Sequence, residues 1–143
     1  MLLCQLPKYK SMYINSFGDY IGMGETTAFK ILSELFPNDG IQIQVPLTKL
    51  LTKEYEEYTS ERQKKETIDI VIKREKRQPL CIRIQDKRHN STIMSMIDKA
   101  QKKTLELSGC IVIDLWYYEC PGLFMEDYES GKKEVLNFIR EHI

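Results

Sequence analysis

The stretch between Leu80 and Tyr118 constrains the fold more than any other part of the chain. It begins with the β-prone run LCIRIQD at 80–86 and ends with the apolar run CIVIDLWYY at 110–118. Between them, residues 91–108 carry helical periodicity, with Ile93, Met96, Ile97, Ala100 and Thr104 on one side and Gly109 as the closing glycine. A strand, a helix of a dozen or more residues and a second strand form a parallel, right-handed crossover. Upstream, TIDIVIK at 67–73 is joined to 80–86 by a short polar turn containing Pro79, so these two strands must be antiparallel. IQIQV at 41–45 predicts a further strand, with Ile41, Ile43 and Val45 inward and Gln42 and Gln44 outward.

Helices complete the frame. Residues 25–36 place Ala28, Phe29, Leu32, Leu35 and Phe36 on an inner face before the stop at Pro37-Asn38-Asp39-Gly40. Residues 130–141 bury Val135, Leu136, Phe138 and Ile139. The charged segment 47–65 suits a solvated insertion, helical through Leu47, Leu50, Leu51, Tyr55 and Tyr58 and able to act as a lid. Tyr9, Tyr13, Phe17 and Tyr20 form a helical stripe suited to core packing. The order α, β, β, β, α, β, α predicts one α/β domain over residues 1–143, a central mixed sheet flanked by helices. A chain of this length buries a core without disulfides or metal.

Several functional classes are excluded. Cys4, Cys81, Cys110 and Cys120 have neither C-x-x-C pairing nor zinc-ligand spacing and are expected to be structural. No apolar run reaches the roughly 18 residues of a membrane span, and the start MLLCQLPKYK is too short for a secretory core, so a cytoplasmic, intracellular location is expected. Twenty-one basic residues balance twenty-one acidic ones, so a polyanion would need local clusters. Arg62 with Lys64 and Lys65, the run Lys73–Arg77 (KREKR), and Lys87 with Arg88 are such clusters, and each is equally a solvated surface.

The chemistry lies in the polar faces of the central strands. With Leu80, Ile82 and Ile84 facing the core, the other face of 80–86 carries Cys81, Arg83 and Gln85, continuing to Lys87 and His89. Asp69 interrupts the apolar run Ile68-Asp69-Ile70-Val71-Ile72, and a buried carboxylate there needs a partner or a metal. Lys87 as a structural ion-pair partner is the plain alternative. Glu25 lies on the core-facing stripe of the first helix, where a helix-dipole role is also open.

A helix with Glu25, a strand, a strand with Asp69, a strand with Gln85-Asp86-Lys87, a helix and a strand resemble the PD-(D/E)XK nuclease superfamily over roughly residues 20–120. Two positions depart from its pattern: Ile68 stands where a proline is common, and Gln85 where the second acid is usual. The resemblance implies a restriction-endonuclease-like αβββαβ core and Mg²⁺-dependent hydrolysis of DNA, with Mn²⁺ as a substitute cation and structured or branched DNA as a candidate substrate. It implies metal ligation by Asp69, Gln85 and the backbone carbonyl of Asp86, with Glu25 holding metal-bound water. Lys87 would orient the nucleophilic water, and Arg83, Arg88 and His89 would contact nucleic acid. No small-molecule cofactor or membrane partner is expected. A homodimer is open, because cutting both strands takes two copies of a small site. The alternative is a nuclease-fold nucleic-acid-binding or assembly domain with weak or absent catalysis.

Overall fold

A computed structural model describes residues 23–56, 59–85, 92–125 and 127–142 of the chain. Helix α1 (Met23–Leu35) leads into strand β1 (Gly40–Pro46). A 3₁₀ turn at Leu47–Lys49, the short helix α2 (Lys53–Glu56) and a second 3₁₀ turn at Gln63–Lys65 follow. Then come β2 (Thr67–Lys73), β3 (Leu80–Gln85), α3 (Thr92–Leu107), β4 (Ile111–Trp116), α4 (Pro121–Phe124) and α5 (Tyr128–His142). The expected α, β, β, β, α, β, α order is present, with two short helices added. The described part of segment 47–65 holds two 3₁₀ turns and the short helix α2 where one helix was expected, and fully buried Leu47 ties its start to the core. The aromatic stripe at 9–20 lies outside the described residues.

The sheet has four strands in the order β1-β2-β3-β4. β1–β2 and β2–β3 are antiparallel and β3–β4 is parallel, as the hairpin and crossover require. Apolar side chains cover both faces. On one, Ile70, Ile72, Leu80, Ile82, Ile84, Ile113 and Leu115 meet Ala28, Ile31 and Leu32 of α1, Leu123 of α4, and Val135 and Ile139 of α5. On the other, Val71, Cys81 and Val112 meet Leu47, Leu105 of α3 and Cys110. Cys81, Cys110 and Cys120 are free and buried, and burial pushes the Cys120 thiol up to about 12. Among the described residues no helix is long and apolar enough to cross a membrane.

Helix α3 is rotated from the expected face. Gln101 and Leu105 are its buried residues, while Ile93 and Met96 are 70% and 67% exposed. The cause lies in the strand beneath. Buried Arg83 needs polar company, and Gln101 supplies it through Oε1 at 3.2 Å, which turns the apolar stripe outward.

The α4–α5 corner depends on glycine. A Cβ built on Gly122 would lie 2.4 Å from the backbone nitrogen of Gly131, whereas one on Gly131 would meet the tip of Ile31 at 3.2 Å. Gly122→Ala is therefore expected to force the two helices apart, at a cost of roughly 1–3 kcal/mol or more. Gly131→Ala should cost clearly less, because a side-chain tip gives way more easily than backbone. Thermal denaturation of the two variants checks this ranking, and equal melting points would refute it.

Candidate functional site

Strands β1 and β2 share one continuous register on either side of Gln44 and Asp69, the two positions that do not pair. Gln44 adopts a φ of 48°, in the left-handed region that a non-glycine residue rarely enters. The strand turns there. Ile41 and Ile43 pack on the α1 side of the sheet and Val45 on the α3 side; opposite them, Ile70 and Ile72 face α1 while Ile68 faces α3. The expectation that Gln44 points outward with Gln42 is thereby corrected: Gln42 is exposed, but Gln44 is drawn in.

Gln44 brings the two expected acids together. Its Nε2 donates to Glu25 Oε1 at 2.9 Å and stands 3.5 Å from Asp69 Oδ1. Its Oε1 accepts from Thr67 Oγ1 at 2.7 Å, so the amide orientation is fixed from both ends. Glu25 is only 5% exposed, carried on the first turn of α1. Asp69 Oδ2 in turn accepts from the backbone N–H of Ile84 at 2.7 Å. The β2–β3 ladder runs only as far as Ile70 and Ile82, so this carboxylate takes a strand amide where regular pairing stops.

Gln85 belongs to a second network on the α3 side. Its Nε2 donates to Asp114 Oδ1 at 3.3 Å, and its buried Oε1 has no hydrogen-bond partner among the described residues. Arg83 makes a two-point ion pair with Asp114 at 2.6 and 2.9 Å and donates to the carbonyl of Asp98 at 2.7 Å. Arg83 was expected at a nucleic acid; it is instead buried and fully engaged in holding α3 to the sheet. Glu25 and Asp69 thus form one linked set and Gln85 another, and the two meet at consecutive residues of β3, Ile84 and Gln85. Asp86, Lys87, Arg88 and His89 lie outside the described residues. Gln44, Thr67 and Asp114 were not anticipated as site residues; Asp114, an acid within the apolar run 110–118, carried the same signal as Asp69.

The described residues contain no group of three or more His, Cys, Asp or Glu side chains able to hold a metal. Asp69 and Glu25, brought to one amide, are oxygen donors of the kind Mg²⁺ takes, whereas the partnerless oxygen of Gln85 belongs to the other network. No family model, curated protein or solved structure matches the chain.

Glu66 closes the second network and titrates differently from an ordinary carboxylate. Its Oε1 accepts from Gln101 at 3.2 Å, its Oε2 is buried without a partner among the described residues, and burial raises its pKa above the ordinary 4.5. The folded state therefore takes up this proton at higher pH than the unfolded state does, so the Glu66 contribution favours folding as pH falls toward 4.5. Glu66→Gln keeps the acceptor for Gln101 and removes the desolvated charge. It should raise the melting temperature at pH 7, with the difference from wild type closing as pH approaches 4.5. A lower melting temperature for the variant at pH 7 would reverse the assignment.

Proposed function

We propose that the chain is a Mg²⁺-dependent endonuclease with a restriction-endonuclease-like core of the PD-(D/E)XK type, hydrolysing phosphodiester bonds in DNA. One observation carries the proposal: Glu25 from a helix and Asp69 from a strand are drawn to a single amide nitrogen at the irregular turn of β1. Two carboxylates at one amide make an oxygen-rich site of the kind a hard cation takes. Left-handed backbone at a non-glycine residue adds about 1–2 kcal/mol, a strain that clusters at functional sites.

Asp69 would ligate the cation and Glu25 would hold its bound water. Bound there, Mg²⁺ would neutralise phosphate oxygens and acidify a water. The remaining work falls to the chain. The Ile84 amide fixes one Asp69 oxygen and leaves the other toward Glu25, and Gln44 holds both carboxylates in register. Lys87, two residues beyond Gln85, is the residue we assign to orient water or bind phosphate. Cutting both strands of a duplex calls for a homodimer.

A second reading rests on Gln44 itself. Its amide already stands where it offsets both carboxylates, which suits a nucleic-acid-binding or assembly module of the same fold without catalysis.

Calorimetric Mn²⁺ titration, run beside cleavage of plasmid and branched DNA, separates the two. Wild type should bind Mn²⁺ weakly and cleave. Asp69→Asn keeps an acceptor for the Ile84 amide, so it should fold normally while losing metal binding and cleavage. Glu25→Gln should slow cleavage by about 10–100-fold, less than Asp69→Asn. Gln85→Glu adds a full charge and should tighten Mn²⁺ binding. Salt-dependent DNA binding without Mn²⁺ binding or cleavage would establish the second reading.

Metal linkage offers an independent check on Gln44. Gln44→Gly relieves the left-handed strain but exposes the two acids to each other. Added Mg²⁺ should then raise the melting temperature more in Gln44→Gly than in wild type, because binding to the folded state stabilises by mass action. An equal or absent response in the variant counts against a cation between Glu25 and Asp69.

A further inference from the structure

The basic run Lys73–Arg77 is not simply a solvated surface. We propose that the β2–β3 hairpin forms a separate anion site that takes a phosphate group. The hairpin turns through Arg74 to Arg77, with the Arg77 N–H donating to the Arg74 carbonyl at 3.4 Å. Beside it is a cavity of about 450 Å³ lined by Arg74, Lys76, Arg77, Gln78, Ile111 and His142.

Three features make this cavity more than a patch of surface lysines. Arg74 is anchored: its Nε and Nη2 both donate to the carbonyl of Gln78, at 3.1 and 2.8 Å. Its third nitrogen, Nη1, is buried with no partner among the described residues. Burial and the charge of Arg77 lower its pKa, the mark of a cation short of compensation. Lys76 is the second feature. It sits at φ 56°, in left-handed backbone that glycine would adopt at no cost, and it lines the cavity. The third is His142, at the end of α5. Its Nδ1 lies 2.8 Å from the carbonyl of Phe138 and must be the donor there, so Nε2 donates to an anion only when the ring carries both protons.

A fixed guanidinium, a second guanidinium and an ammonium around one concave space match a tetrahedral oxoanion with several acceptor oxygens. Without an anion these like charges repel, and Asp39 is the acid whose charge acts favourably on Arg74. The hairpin lies at the far end of β2 from Asp69. Arg74 lies five steps along the chain from Asp69, roughly 17 Å of extended backbone, so the cavity is distinct from the carboxylate pair. The inference does not depend on nuclease activity.

Titration of the full chain with inorganic phosphate, followed by backbone amide NMR shifts, tests the site. Saturable binding with shifts at residues 74–78 and Ile111 is expected. Lys76→Gly, which suits the backbone there, and Arg77→Ala should each weaken binding by about tenfold, the loss of one charge-assisted contact worth about 1.4 kcal/mol. Melting of Lys76→Gly should be unchanged or raised, so a loss of binding cannot be laid to unfolding. No saturable binding at millimolar phosphate, or binding that neither variant weakens, overturns the proposal. A short oligonucleotide with and without a 5′-phosphate identifies the source once binding is seen. Displacement of phosphate only by the phosphorylated form upholds the site as one for terminal monoesters. Equal displacement by both forms upholds it for backbone diesters, and displacement by neither upholds it for small phosphate compounds.

Discussion

A guanidinium buried in the middle of a sheet dictates much of this structure. All six residues of β3 are buried, and two of them, Arg83 and Gln85, are polar. A cation in that position is tolerated only when its donors are met, since breaking a buried pair costs about 3–5 kcal/mol. Asp114 on the neighbouring parallel strand meets two of them, and α3 supplies the carbonyl of Asp98 and the amide of Gln101. The pair therefore joins β3 to β4 and seats α3 on the sheet. It also fixes the rotation of α3, and with it the exposure of Ile93 and Met96.

The same strand organises the opposite face. Because β2 and β3 stop pairing after Ile70 and Ile82, the Ile84 amide is left for Asp69. That contact holds a carboxylate at the strand end, and Gln44 then recruits Glu25 to it. Polar groups on the two faces of β3 thus have different tasks. Arg83 and Asp114 hold layers together, whereas Gln44 joins Asp69 to Glu25.

The layered frame was largely legible in the sequence. Alternation in 41–45 and 67–73, the short turn at Pro79 and the closing Gly109 all act locally, and local signals survive into the fold. Glu25 and Asp69 were legible as well, since acids among apolar residues stand out. Gln44 was not. A period of two places it outward beside Gln42, and nothing in its neighbours announces left-handed backbone; only its tie to Glu25 and Asp69 shows why it turns. The face of α3 was misread for a related reason. Its apolar spacing is a property of the helix alone, whereas its docked face depends on Arg83, distant in the chain and polar. Arg83 itself was expected at a nucleic acid because a strand pattern reports parity and says nothing of what a partner strand offers opposite.

The twist at Gln44 has a further effect on how the molecule behaves among its own copies. Among the described residues β1 is a terminal strand of the sheet, so one side of its backbone has no neighbouring strand there. Regular, flat strand edges of that kind template the addition of foreign strands and seed aggregation. Here an incoming strand would find straight backbone only from Gly40 to Ile43 before the left-handed residue swings the chain away, and Pro46 then offers no N–H at all. The irregularity that gathers two acids on one side also makes the described rim of the sheet a poor template for another strand.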